Sequence, residues 1–367
     1  MSDELTPIQS RIIKAAETLE NEEIRKLVFQ HGIMCQVGLP RSKQAERVFE
    51  RSFKNASLRV EAGSIWNGSK WIEQPIPYGA KPRVALCYIN TEAITKKDPE
   101  IDIGRSYADF CDRLGFSKGG SAFASLKKQM NALAACKMSF GFTQPDGKII
   151  TQKGVEPIER FEAWLSRDNK QPSLWPSRLL LGQKYMESLI EHAIPLPFEA
   201  IAALSHSALA LDLLAFFARR LHTLEQPVRV PFVLLKEQFG QEYNGLDPLK
   251  DFKKKFLLEL KQVKAIYPAA QIDQITGGML FKPSPPLVKG PRKLPRIPAK
   301  KIPPPEIRAG GWEIKEETLT AFRVLCPRLD VYACKADFDS WLLTKEEPKD
   351  YQKAFLGFAK KWGKGKG

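Results

Sequence analysis

The chain is poor in the side chains that most metal and redox chemistry uses. It has four histidines in 367 residues, with no His-x-His pair, so a metal-dependent nicking centre lacks its ligands. Its six cysteines, Cys35, Cys87, Cys111, Cys136, Cys326 and Cys334, include no Cys-x-x-Cys. Most fall within apolar helical stripes and read as reduced thiols in a cytosolic core. No long hydrophobic run occurs. The greasiest, residues 208–218, contains Asp212 and is too short to cross a bilayer. The acidic opening, residues 1–4, gives no secretory signal. Negative charge is the minority sign. Lys and Arg number 57 against 42 Asp and Glu, a formal net charge of +15. That excess favours a polyanion, nucleic acid before an anionic membrane, over the plainer reading of a chain that is basic for solubility.

Catalytic motifs are missing too. The glycines at 115, 119 and 120 stand before Ser121, but no lysine precedes that serine and the segment joins two helices, so no phosphate loop forms. Ser125 and Lys128 match Ser-x-x-Lys with no supporting motif. Asp337-Phe338-Asp339 fits a helix start better than a polymerase-type metal pair. The expectation is a chain without catalysis, metal or cofactor.

Hydrophobic residues make up 43% of the chain, enough for real cores. Their spacing is most informative over residues 77–151. A helix is expected over 82–97, opened by Pro82, with Ala85, Leu86, Ile89, Ala93 and Ile94 on one face, and ended before Pro99. Residues 101–103 alternate as a short strand. Ser106 and Asp109 fit a capping box for a second helix, whose Tyr107, Phe110, Cys111 and Leu114 form one stripe and whose stop is Gly115. A third helix is expected from Ser121 to near Cys136. Leu126, Met130, Leu133 and Ala134 point inward. Ser121, Ala124, Lys128, Asn131 and Ala135, with Lys127 beside them, form a small, polar, basic face without an acid. Such a face suits a major groove; a solvated helix face is the plain alternative. Met138, Phe140 and Phe142 then alternate, and Asp146-Gly147 marks a hairpin turn. A hairpin directly after such a helix is a wing, with Thr143, Gln144 and Lys148 at its tip. Arg105 and Lys118, beside the two helices, complete the candidate DNA contacts of this half.

The order repeats about 125 residues on. A helical region over 198–224 bends near Ser205-His206-Ser207. Residues 228–230 make a short strand, 231–239 a helix ending at Gly240, and Asp247 caps a helix with Pro248 first. That helix turns Leu249, Phe252, Phe256, Leu260 and Val263 inward and carries Lys250, Lys253, Lys254, Lys255, Lys261 and Lys264. A second hairpin follows over 269–282. Lysine is a phosphate contact more than a base reader, so both helices are expected to bind, and Lys250, Lys253, Lys254, Lys261 and Lys264 join the candidate contacts.

Outside these repeats, residues 5–30 carry Ile12, Ile13, Ala16, Leu19, Ile24, Leu27 and Val28 at helical spacing. They either pack on the first domain or dimerise. A strand is expected at 56–62, a turn at Asn67-Gly68, and extended or mixed chain over 155–165 and 178–192. The proline-rich basic stretch that follows the second hairpin reads as a phosphate-tracking arm or a stiff spacer. The last stretch, with Phe322, Phe338, Trp341, Phe355, Phe358 and Trp362, reads as a helical docking unit. The fold class is α+β: two tandem winged helix-turn-helix domains (1–165 with its N-terminal helices, and 166–282), a linker (283–308) and a small helical C-terminal unit (309–367).

Several runs resemble one family. They are Pro77-Tyr78-Gly79-Ala80-Lys81-Pro82-Arg83, Thr91-Glu92-Ala93, Ile103-Gly104-Arg105-Ser106, Leu114-Gly115, Gly119-Gly120 and residues 126–129. Together they resemble the RepA-type bacterial plasmid replication initiators, most strongly over 77–142. Val331-Tyr332, Trp341 and Ala354-Phe355-Leu356-Gly357-Phe358 resemble the ending of such proteins. The resemblance implies binding to repeated origin sequences (iterons) in duplex DNA, local melting, recruitment of the host replication initiator and replicative helicase machinery, and repression of the protein's own promoter, all in a bacterial cytoplasm. It implies no catalytic residues. A transcriptional repressor without a replication role is the rival reading. It would not require the basic linker and C-terminal unit.

Overall fold

Thr6 and Gln9 satisfy each other across three residues, Gln9 Oε1 accepting from Thr6 N at 2.8 Å and Thr6 Oγ1 from Gln9 N at 3.3 Å. This reciprocal cap starts α1 (Pro7–Glu20). The computed structural model describes residues 5–20, 26–104, 107–116, 119–143, 147–161, 178–288, 314–327, 331–342, 348 and 350–362. Contacts divide the chain into two units, Met1–Ile297 and Pro298–Gly367. The boundary expected at 165/166 falls inside the first.

In that unit α1 buries Ile12, Ala15 and Leu19, while Ile13 points outward. Leu27 and Val28, expected in a helix, lie instead in β1 (Leu27–His31). Four strands follow: β2 (Val48–Phe53), β3 (Ala56–Glu61), β4 (Ser64–Trp66) and β5 (Trp71–Glu73). The helix α2 (Ala80–Lys96) starts two residues before Pro82 and is buried on every side, not on one face. On it, Asn90 Oδ1 accepts from Tyr185 Oη at 2.9 Å. Next come β6 (Glu100–Asp102), α3 (Tyr107–Leu114), α4 (Gly120–Ala135), β7 (Lys137–Thr143), β8 (Ile149–Val155), β9 (Arg160–Phe161) and β10 (Arg178–Leu180). Phe110, Cys111 and Leu114 are fully buried, as their stripe requires. Ser106 lies outside the described residues, and Asp109 accepts from Arg113 Nε and Nη2, both at 3.1 Å. Gly115 takes φ +70°, and a Cβ there would stand 3.0 Å from the Ala202 methyl, so stop and close approach need glycine together.

In the first half the short strand and the hairpin belong to different sheets. β6 pairs antiparallel with β10, not with the β7–β8 hairpin. The hairpin extends a four-stranded antiparallel sheet of order β2-β3-β7-β8. Met138 and Phe140 face the core, so the sheet closes over apolar rows.

The second half begins with α5 (Gln183–His192), a regular helix where extended or mixed chain was expected, then β11 (Ala193–Pro197), which pairs with β1. The buried Tyr185, Met186 and Leu189 supply its helical stripe. After it come α6 (Phe198–Ala203), α7 (Ala208–Arg220), β12 (Val228–Pro231), α8 (Phe232–Phe239), α9 (Pro248–Ile266), β13 (Ile272–Ile275) and β14 (Gly278–Phe281). The bend expected at Ser205-His206-Ser207 separates α6 from α7, and Ser207 Oγ caps α7 by accepting from Ala210 N. Asp247 caps α9 by accepting from Lys250 N at 3.1 Å. Here the short strand does join the hairpin, in the order β12-β14-β13. One apolar core runs through both halves. Residues 283–288 lie against it: Ser284 Oγ accepts from Gln271 N at 3.0 Å, and Leu287 packs on the core. Residues 289–308, the rest of the expected linker, lie outside the described residues.

His31 is fully buried where β1 meets the four-stranded sheet. Its Nδ1 lies 3.3 Å from Ile33 N–H and its Nε2 lies 3.0 Å from Ser188 Oγ. With Nδ1 accepting, the neutral ring donates from Nε2. Burial first, and His192 second, lower its pKa to about 3. All six cysteines are free and buried, and burial raises the Cys87 and Cys136 thiols to about 12.

The unit Pro298–Gly367 contains α10 (Glu316–Leu325), α11 (Val331–Leu342) and α12 (Tyr351–Trp362) around Phe322, Cys326, Cys334, Phe338, Leu342, Phe355 and Ala359. Asp337 lies inside α11 rather than at a helix start, and its Oδ2 accepts from Trp362 Nε1 at 2.7 Å.

Candidate nucleic-acid interface

The helix α4 exposes its first half and covers its second. Ser121, Ala124 and Lys128 are exposed on one side, with Ser125 next to them. Lys127 is half-buried, and that burial lowers its ammonium pKa below the usual lysine value. Asn131 corrects the expected face: it is 5% exposed, and its Oδ1 has no partner among the described residues. The cover is the segment that precedes α2. β4 packs against α4. Gly63 approaches so closely that a Cβ there would lie 1.9 Å from the Ala135 carbonyl oxygen. Tyr78 N donates to Gln129 Oε1 at 2.8 Å, and Lys81 Nζ to the Ala122 carbonyl at 3.2 Å. Residues 63–81 therefore run along α4 and leave only its N-terminal face open. Lys148, at the start of β8, is exposed. Arg105, Lys118 and Gln144 lie outside the described residues.

The helix α9 is open along its whole length. Lys250, Lys254, Leu258 and Lys261 recur every three or four residues on one exposed line. Lys250, Lys254 and Lys261 form no ion pair with a described residue. The other lysines are engaged. Lys253 Nζ lies 5.0 Å from the centre of the Phe232 ring. Lys264 Nζ donates to the Ile272 carbonyl at 2.9 Å, and Lys255 pairs with the buried Glu259 at 2.5 Å. Leu249 is corrected from inward to exposed, at 36%, because the α9 interior is already filled by Phe252, Phe256, Leu260 and Val263. The exposed leucines at 246, 249 and 258 widen the apolar part of this surface.

A charged cluster between the halves escaped sequence reasoning. Arg83 on α2 meets Asp212 on α7 through Nε–Oδ1 at 2.7 Å and Nη2–Oδ2 at 3.0 Å. Arg41 reaches Asp212 at 3.2 Å and Glu242 at 3.1 Å. Arg51 on β2, with no exposed side-chain surface, pairs with Glu242 as well. Burial would raise the Glu242 carboxyl, but Arg41 and Arg51 outweigh it and hold the group below the usual carboxylate value. The signal was there: Asp212 interrupts the greasiest run, and an unpaired acid in such a run is costly.

Among the described residues, no cluster of three or more His, Cys, Asp or Glu could hold a metal, and no helix is long and apolar enough to cross a membrane. No curated protein matches the chain. Among solved structures, it is similar to the crystal structure of the RctB domains 2-3, at 12% identity, over 68% of this chain and 94% of that one, with a TM-score of 0.43. A selenomethionine derivative of RctB domains 2 and 3 is similar at 12% identity, over 65% and 84%, with a TM-score of 0.40. Residues 76–234, from the segment that covers α4 to the start of α8, match the family described as plasmid encoded RepA protein.

Proposed function

We propose that the chain initiates plasmid DNA replication by binding directly repeated sites in duplex DNA through α4 and α9. The family match over residues 76–234 supports a replication-initiator role. One observation carries the DNA-binding reading: within a single compact unit, α4 exposes a small face of Ser121, Ala124 and Lys128, and α9 exposes a line of Lys250, Lys254 and Lys261. Small side chains let a helix backbone approach base edges, and lysines neutralise phosphates. On this reading both halves are winged helix-turn-helix modules. The strand order β12-β14-β13 supports it for the second; in the first, the wing is the β7–β8 end of a larger sheet. The C-terminal unit, with its own core and the exposed Val324, Leu325 and Trp341, serves as the dock for host replication proteins. Origin opening and repression of the chain's own promoter follow from the same sites.

The test is a gel shift on duplex DNA flanking the gene, with self and scrambled competitors. Binding that yields to self alone, and that Ala124→Glu abolishes, is expected, because a carboxylate on the open face meets phosphates. Equal competition by scrambled duplex, or full binding by the Ala124→Glu protein, would overturn the reading. Removing residues 309–367 should spare the shift and stop plasmid maintenance.

A further inference from the structure

We propose that the half-buried Tyr78 and Lys81 and the buried Arg83, together with the buried Asp212, form a ruler that fixes the spacing at which α4 and α9 meet DNA, so these residues set specificity without touching it. The inference rests on the function proposed above and names its positioning residues. The run of residues 77–83 stands out in the sequence, yet no residue in it faces an open surface of α4 or α9. Three of its polar groups have other tasks. Tyr78 N holds Gln129 and Lys81 Nζ holds the Ala122 carbonyl, both on α4. Three residues from the start of α2, Arg83 holds Asp212 with two hydrogen bonds. The same guanidinium donates to the carbonyls of Gly79 at 2.7 Å and Leu39 at 2.5 Å. Asp212 lies on α7, and α7 packs directly on α9.

One short run is thus tied to the first reading helix at one end and, through an ion pair, to the helix that carries the second. The cluster around that pair is closed. Arg41 bridges Asp212 and Glu242, which lies in the turn between α8 and α9. A Cβ at Gly38 would stand 2.8 Å from Asp212 Oδ1 and 3.1 Å from Arg83 Nη2, so the backbone itself is seated on the pair. A bidentate Arg–carboxylate pair fixes direction as well as distance, which a purely apolar contact does not. A rotation between the halves would break these bonds in a place where water cannot replace them.

The test uses the full chain and a series of duplexes that carry both base blocks, with zero to four base pairs inserted between them, plus duplexes with one block alone. Inserting two base pairs turns one block by about 70° relative to the other. The natural protein should lose about tenfold or more in affinity at that insertion, since the second block then binds no better than free DNA. Arg83→Met with Asp212→Leu exchanges the pair for apolar groups, an exchange that buried pairs often tolerate. This protein should bind single blocks as before and accept the insertion within about twofold. Unchanged spacing preference in a folded double variant would overturn the ruler. So would an equal loss on single and double blocks. If neither protein binds a single block, the proposed function itself fails, which is a separate outcome. Should the double variant not fold, Lys81→Met decides. It removes only the bond to the Ala122 carbonyl, and it must broaden the spacing preference, or the ruler is rejected.

Discussion

The two candidate reading helices, α4 and α9, differ in how much of themselves they offer. α4 is half covered: the side chains of its second half are covered, with Asn131 buried and Gln129 tied to Tyr78 N. α9 is open from Lys250 to Lys261 and carries cations along that line. A covered helix with a small, rigid open face suits discrimination, because few groups can approach and their positions are fixed. An open lysine helix suits affinity, since phosphates repeat along any duplex. On the proposed function, the duplicated order of elements serves two uses.

The sharpest way to break this division is Ala124→Glu, which should remove duplex binding altogether. The same exchange at Lys254 should weaken binding without removing it. Gel shifts on one duplex compare them, and equal losses would erase the distinction. Next in size, Lys250→Gln, Lys254→Gln and Lys261→Gln together should flatten the dependence of log K on log salt by about 0.9 for each lysine that meets a phosphate. The preference for the block met by α4 should stay the same, and a change in it would mean that these lysines do more than meet phosphates.

Lys128→Ala should reduce discrimination between specific and scrambled duplex by about 1–3 kcal/mol, the usual worth of a base-reading contact. Asn131→Ala should leave discrimination unchanged, because the group is buried. If competition assays show the reverse, the cover over α4 opens on DNA.

The smallest effect concerns the buried His31, where β1 meets α5 and the four-stranded sheet. The His31 ring lies 4.8 Å from the Phe140 ring on β7. Its pKa of about 3 lies below that of the unfolded chain, 6.5. Above pH 6.5 both states are neutral and the stability is fully present. As pH falls from 6.5 toward 3, the unfolded chain takes a proton that the fold refuses, so stability is lost. At pH 5 the loss is about 2 kcal/mol. Thermal melts at pH 7 and pH 5 should show the drop, and His31→Gln should shrink it. A drop of the same size in the variant would move its source elsewhere.

Much of the α+β order was legible because it rests on local signals. The left-handed stop at Gly115, the Asp247 cap and the Ser205–Ser207 bend are each written in one or two residues. What was misread depended on distant partners. Leu27 and Val28 have helical spacing, yet the β11 edge takes them as a strand. β6 alternates as expected, but β10, over seventy residues away, claims it. Asn131 falls on the right side of a helical wheel, yet tertiary packing leaves it 5% exposed. The Arg41, Arg51, Arg83, Asp212 and Glu242 cluster gathers five segments, and no spacing rule joins them. Lysines were the least legible of the site residues: spacing alone does not separate Lys254, which is exposed, from Lys264, which serves the Ile272 carbonyl.

The most direct test of the account is a selection of full-length protein against random-sequence duplexes, followed by sequencing of what it retains. Two base blocks at one fixed separation should emerge, and the Ala124→Glu protein should enrich neither. Retention without sequence preference, or a block that survives Ala124→Glu unchanged, would contradict the claim that the open face of α4 reads the duplex.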